Sequence, residues 1–312
     1  MNKLITFIKN RTFVQFIAAL LTNIHLPNFI KGTIYTGGAK RVCVPGLNCY
    51  SCPGSTGACP IGAFQAVVGA KQYSFSYYVV GILMFFGVMV GRLICGFLCP
   101  FGWVQDLLHK IPTKKFSTKK LKLLRYIKYV IMVVVVWIMC VIASQKTGMS
   151  LPYFCKYICP QGILGGGIPL SIANPAIRNA LGKLFTMKSI FLGITVVLSI
   201  IYYRPFCKWI CPLGAFYSLF NKISFYQIKF DEHKCVNCNR CRKACHMDVD
   251  ITKNQAHLEC IRCNECVKVC PTKALTTSFT DIKKERNFKN EQCKTCNTNC
   301  NTCPSISNRV QN

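Results

Sequence analysis

The chain has 312 residues, 51% of them hydrophobic, with 39 Lys and Arg against 10 Asp and Glu. A formal charge of +29 would suit nucleic acid, but the cations stand between apolar segments rather than on one basic face, which excludes a nucleic-acid binder and fits the loops of a membrane protein. The 23 cysteines are odd in number and grouped as C-x2-C and C-x3-C-P, which excludes a secreted disulfide framework and points to metal ligation.

Residues 1–230 contain 25 basic residues and one acid, Asp106. A soluble surface of that size would interleave both signs, so most of this stretch is expected to face lipid. Four apolar segments, 12–30, 77–94, 123–144 and 184–203, have about the length that a ~30 Å hydrocarbon core asks of a helix. The first follows Lys3, Lys9 and Arg11 without a small-residue cleavage site, so an uncleaved anchor is expected. Residues 92–128 carry nine Lys and Arg, against four in 31–76 and five in 145–188. That bias puts the middle loop, the C-terminal region and both termini of a multi-pass cell-membrane protein in the cytoplasm.

C-P-x-G occurs four times, at Cys59, Cys99, Cys159 and Cys211. The last three have a second cysteine four residues earlier, at Cys95, Cys155 and Cys207; in the first copy the partner is Cys52. With four spans, copies one and three fall outside and copies two and four inside, the pattern of an inverted repeat. The apolar pieces 60–70 and 160–172 are too short to cross and read as re-entrant or interfacial. One C-x3-C offers two thiolates, so Cys95, Cys99, Cys207 and Cys211 are expected to form one inner four-thiolate site. By the same logic Cys52, Cys59, Cys155 and Cys159 form an outer one, with Cys49 as a substitute ligand. Two alternatives stay open: Cys43, Cys49, Cys52 and Cys59 as a site of their own, or a disulfide between Cys43 and Cys49. Proline after the last cysteine fixes the local turn, and the glycine lets backbone approach. Cys140, alone in the third span, reads as packing. His25 reads as an ordinary polar residue near the interface.

After residue 230 come Cys235-x2-Cys238-x2-Cys241-x3-Cys245 and Cys260-x2-Cys263-x2-Cys266-x3-Cys270-Pro271. Three cysteines spaced by two residues wrap one corner of a 4Fe-4S cube, and the fourth reaches to the other cube. This assigns one cluster to Cys235, Cys238, Cys241 and Cys270 and a second to Cys260, Cys263, Cys266 and Cys245; a pair of zinc knuckles is the rival reading. His246 stands where the usual pattern has proline. The tail carries Cys293, Cys296, Cys300 and Cys303 among Asn, Thr and Lys, too few apolar residues to fold unaided, and is a candidate for a further cluster or zinc.

From Ile94 to Leu275, C-x3-C-P at the ends of spans followed by a two-cluster ferredoxin module resembles the NapH/NosR/CcoG-type polyferredoxins of bacterial membranes. The chain departs from that family in having four C-P-x-G motifs rather than two, and no flavin-attachment or periplasmic domain. The resemblance implies passage of electrons between a quinol pool or cytoplasmic donor and a partner reductase or assembly pathway. The fold expected is a multi-pass α-helical membrane protein of about four spans over 1–228, with inverted C-P-x-G repeats. A C-terminal α+β ferredoxin-like domain with two 4Fe-4S clusters over 229–280 and a Cys-rich tail over 281–312 complete it. Two more clusters are expected in the membrane half. There is no Gly-rich dinucleotide loop, no C-x-x-C-H haem site and no acid/base pair in 1–230. The expectation is therefore an electron-transfer subunit, not a stand-alone enzyme. It would work with the lipid bilayer, a redox partner protein or the quinone pool, and no nucleic acid, relaying electrons between a cytoplasmic donor and a membrane or extracytoplasmic acceptor. A membrane reductase serving metal or cofactor assembly and a redox-sensing protein are the alternatives.

Overall fold

Four prolines set the frame of the N-terminal, helical part. The computed structural model describes residues 11–68, 77–147 and 151–279. In every C-P-x-G a helix begins at the proline: Pro60–Val68, Pro100–His109, Pro160–Gly162 and Pro212–Leu219. The fixed φ of proline suits the first helical residue, where a missing N–H costs nothing. Cys99, Cys159 and Cys211 occupy the N-cap in extended conformation, with ψ of 115°, 112° and 113°. Each thiol therefore sits where the first amides of a helix lack intrahelical partners.

Two helices among the described residues are long and apolar enough to cross a bilayer, Leu123–Lys146 and Lys183–Ile201, the third and fourth expected spans. Among the described residues the first two expected spans are the shorter helices Arg11–Thr22 and Tyr77–Val90, which end before the positions 30 and 94 that the sequence suggested. The reasons are local. Asn23 folds its side-chain amide back onto the Ala19 carbonyl at 2.9 Å, and Pro27 starts a separate short helix, Pro27–Lys31. Gly91 turns the chain with φ +55°, and a Cβ there would lie 2.7 Å from Asn221 Oδ1, so no other residue fits. Val130, Trp137, Ile190, Ile194 and Val197 all point outward on the two long helices, an apolar surface suited to lipid rather than water. The first long helix widens into π-helical turns over Ile131–Ile138, and Cys140 just beyond packs at 0% exposure against Gln65.

The C-terminal part is a two-stranded antiparallel sheet, β1 (Tyr226–Phe230) with β2 (Leu275–Phe279), Ile228 opposite Thr277. Between the strands lie two four-residue helices, Arg240–Lys243 and Glu265–Lys268, over a small core of Ile228, Ile251 and Leu275. This unit docks on the N-terminal, helical part through buried ions. Glu259 joins Arg92 at 2.8 Å and Lys128, and Asp248 takes Lys208, Ser117 and Thr118. Arg92 and Lys128 outweigh the burial of Glu259 and hold its carboxyl down at about 2. The backbones also touch: a Cβ on Gly96 would meet the Ile261 carbonyl at 2.7 Å.

Candidate iron–sulfur centres

In the ferredoxin-like unit the backbone repeats itself. Asn237 and Asn239 have φ of 50° and 56°, and their counterparts Arg262 and Asn264 have 52° and 62°. Backbone turned left-handed on both sides of a cysteine can aim N–H groups into a concavity that suits a negatively charged group. Asparagine tolerates this conformation; Arg262 is held in it by its guanidinium, which donates to the Asn221 carbonyl at 2.7 Å and the Val90 carbonyl at 3.1 Å. Cys235, Cys238, Cys241 and Cys270 line one small cavity. Cys245, Cys260, Cys263 and Cys266 line a second, walled by Met247, Val249 and Ile251, which Cys241 also borders. The first faces water, with Cys238 exposed; in the second, burial pushes Cys260 up to about 11. His246 is exposed and stacks beside Tyr203, ring centroids 4.9 Å apart.

The inner quartet lies under the docked domain. Cys95, Cys99, Cys207 and Cys211 are 5–8% exposed. Gly102 and Gly214 each donate an amide to the capping sulfur, Cys99 and Cys211, at 3.4 Å. A Cβ on these glycines would lie 3.1 Å from the Cys95 carbonyl and 3.3 Å from the Cys207 carbonyl, so the motif's glycine also makes room for the preceding turn. The two halves clasp each other. Arg204 reaches back to the Cys95 carbonyl, and Arg92 reaches forward to the Cys207 carbonyl at 3.4 Å. Both guanidiniums are fully buried, each with its own acid: Asp106 bonds Arg204 at 2.6 Å, and Glu259 bonds Arg92.

At the outer quartet the structure groups Cys49, the substitute ligand, with three of the four expected cysteines. Cys59, Cys155 and Cys159 line a cavity of about 500 Å³ together with Cys49, with Lys188 at its wall. Cys52 borders a different cavity, lined by Phe16, Leu20 and Trp103, and turns its thiol to Asn23 Oδ1 at 3.4 Å. The reason is the loop: Cys43 pairs with Ala58 as an isolated bridge, and the Asn48 amide bonds Thr22, Asn23 and Ser55, which fixes Cys49 toward the cavity. Cys43 and Cys49 are both free thiols, and Cys43 is buried elsewhere in the core. His25 stacks on Tyr35, centroids 3.7 Å apart. The tail cysteines Cys293, Cys296, Cys300 and Cys303 lie outside the described residues.

Two signals escaped the sequence reading. Arg92 and Arg204 stand three residues before Cys95 and Cys207, so the inner motif is R-x2-C-x3-C-P-x-G. Gln65 and Gln105 stand six residues after Cys59 and Cys99. Each donates to a sulfur of the partner copy, Gln65 to Cys155 at 3.4 Å and Gln105 to Cys207 at 3.1 Å. Extending the repeat by a few residues on either side would have found both.

The donor sets fit a cationic cluster core. Burial pushes Cys99 up to about 12, with Cys207 and Cys95 adding to it, and burial with Cys49 and Cys59 does the same to Cys159. Buried thiols set this close cannot ionise together unless positive charge enters among them. Among the described residues no three candidate ligands close on one point as a mononuclear ion requires. A polynuclear core holds its thiolates further apart.

Comparison with known proteins agrees. A 4Fe-4S binding domain family matches residues 75–119, 129–168 and 184–230, and another 4Fe-4S binding domain family matches 258–276. An uncharacterized protein of Methanocaldococcus jannaschii is 32% identical over 58% of this chain and 61% of its own length. The methylamine utilization ferredoxin-type protein MauN of Methylorubrum extorquens is 27% identical over 61% of this chain and 56% of its own. The ferredoxin-type protein NapH of Haemophilus influenzae is 25% identical over 56% and 54%. The chain thus spans between half and two thirds of the length of these curated relatives. No solved structure matches it.

Proposed function

We propose that this chain is a NapH-type polyferredoxin with an iron–sulfur electron-transfer role, and that it forms a four-centre relay that carries electrons across a membrane. The reading rests on one observation. A single buried core takes in Cys59, Cys159, Cys95, Cys99 and Cys211, and Cys245 and Cys263, partly buried, pack against it. A 4Fe-4S cluster, when bound, takes up and gives out single electrons.

The chain's residues would serve that chemistry as follows. Cys235, Cys238, Cys241 and Cys270 hold the exposed centre that meets a cytoplasmic redox partner. Cys245, Cys260, Cys263 and Cys266 hold the one docked against the membrane half. Cys95, Cys99, Cys207 and Cys211 hold the inner centre, and Cys49, Cys59, Cys155 and Cys159 the outer one. Glu259, next to Cys260, fixes the docking by its bonds to Arg92 and Lys128. Arg92 and Arg204 balance the negative charge of the inner thiolates in a region of low dielectric. Four membrane segments, the two shorter ones completed by re-entrant pieces, put the ferredoxin-like domain in the cytoplasm and the outer centre near the opposite face, where a quinone or extracytoplasmic protein accepts the electron.

Proteoliposomes test this. The full chain, reduced from the ferredoxin side, is expected to reduce a membrane-impermeant acceptor trapped on the other side. No transfer from a preparation that holds all its clusters would contradict the reading. The cavity at the outer quartet favours one second reading, a reductase of a small acceptor at that site. Turnover of such an acceptor by the purified chain without any partner would select it.

A further inference from the structure

We propose that the loop 45–48, braced by Tyr217, is the path by which an electron passes between the inner and outer centres. The inference rests on the reading of both quartets as cluster sites and names the connection between them.

The loop belongs to the outer side by sequence, since it joins Cys43 to Cys49, yet it touches the inner motif. A Cβ on Gly46 would lie 2.9 Å from Cys99 Cα and 2.9 Å from the Leu98 carbonyl, so its bare backbone lies against the inner capping cysteine. Leu47 and Asn48 are 2% and 0% exposed. Three residues after Gly46 comes Cys49, which lines the outer cavity. A ligand of the inner centre thus reaches a ligand of the outer one through one close contact, at Gly46, and the backbone of residues 46–48. Electron tunnelling falls off more slowly along bonds than across gaps, and a contact held rigid keeps the path short.

Tyr217 supplies the rigidity. It stands six residues after Cys211, the position that in copies one and two holds the sulfur-bonding glutamines Gln65 and Gln105. Here the longer side chain passes beyond the inner site. The phenol is 0% exposed and donates to the Pro45 carbonyl at 3.0 Å. A backbone carbonyl cannot take that proton, so Tyr217 braces the loop and does not itself change oxidation state. The step moves one electron from the reduced inner centre to the oxidised outer one. No bond forms or breaks, and the cytoplasmic donor and the outer acceptor supply and remove the electron.

The test uses the full chain, purified without oxygen, as Gly46→Ala and Tyr217→Phe. Iron and sulfide per chain are measured first, and freeze-quench EPR then times the reduction of the outer centre after that of the inner. Gly46→Ala, whose methyl group must push the loop off Cys99, is expected to slow that step about 10-fold or more with cluster content intact. Tyr217→Phe keeps the ring and removes the brace, with an expected slowing of about 3-fold by the same positional argument. Should Gly46→Ala lose a cluster, Tyr217→Phe decides. Unchanged timing with full cluster content would overturn the inference alone. A wild-type chain lacking either the inner or the outer EPR signal would overturn the reading beneath it.

Discussion

The inner and outer quartets start from one motif and end as different sites. Both use a cysteine at a helix N-cap followed by proline, and both take a glutamine hydrogen bond from the earlier copy onto a sulfur of the later one. The inner set is sealed, with all four cysteines buried and two guanidiniums locked across it by Asp106 and Glu259. The outer set opens onto a cavity, leaves Cys49 and Cys155 half-buried, and has Lys188 on the Cys155 carbonyl at 3.0 Å. The motif therefore dictates where a thiolate can stand, while the residues flanking it decide how much water and charge surround the centre. Solvent exposure, charge and hydrogen bonds to sulfur are what set a cluster's potential. The inner centre should be shielded from small oxidants and the outer one accessible to them.

The sharpest break in this comparison comes from single ligands. Cys211→Ser removes the inner centre and Cys49→Ser the outer one, each lowering iron by about 4 atoms per chain. Cys52→Ser should leave iron content unchanged, since Cys52 faces Asn23 rather than the cavity. Iron analysis that reverses Cys49 and Cys52 would restore the assignment suggested by spacing alone.

Next in size is the clasp that only the inner site has. Asp106→Asn leaves Arg204 and Arg11 buried without a counter-charge, and the expected destabilisation is about 3–5 kcal/mol, read as a fall in the unfolding midpoint. A change below about 1 kcal/mol would mean that the clasp is not what holds the halves together.

Smaller effects should separate the two potentials. Gln105→Leu removes a hydrogen bond to an inner sulfur, which favours the less negative, oxidised cluster, so the inner potential should fall by tens of millivolts, on the order of 1 kcal/mol. Gln65→Leu should do the same at the outer centre only. Lys188→Gln, where water screens the charge, should lower the outer potential by less than either. EPR-monitored titration reads all three.

The sequence was most informative where ligands are close along the chain. Cys235 to Cys245 and Cys260 to Cys270 are spaced so tightly that the fold has little freedom to regroup them; each cavity takes in four cysteines that spacing groups, the second with Cys241 besides. It was least informative in the first C-P-x-G copy, which lacks the second cysteine four residues before. There the choice between Cys49 and Cys52 depends on the Asn48 network and the Cys43–Ala58 bridge, contacts made across the loop rather than along it. Asn23 and Pro27, visible breaks in the first apolar segment, do end a helix; Gly91 ends the second, although glycine in an apolar run carries no such signal by itself. Arg92, Arg204, Gln65 and Gln105 were legible in principle, since they recur at fixed offsets from the cysteines.

The central claim is that this one chain holds a line of four centres. Iron and sulfide analysis of the anaerobically purified full chain, with EPR titration of the same sample, tests it directly. The account predicts four resolved clusters among residues 49–270, with about 16 irons and 16 sulfides per chain. Fewer than three clusters per chain would contradict it.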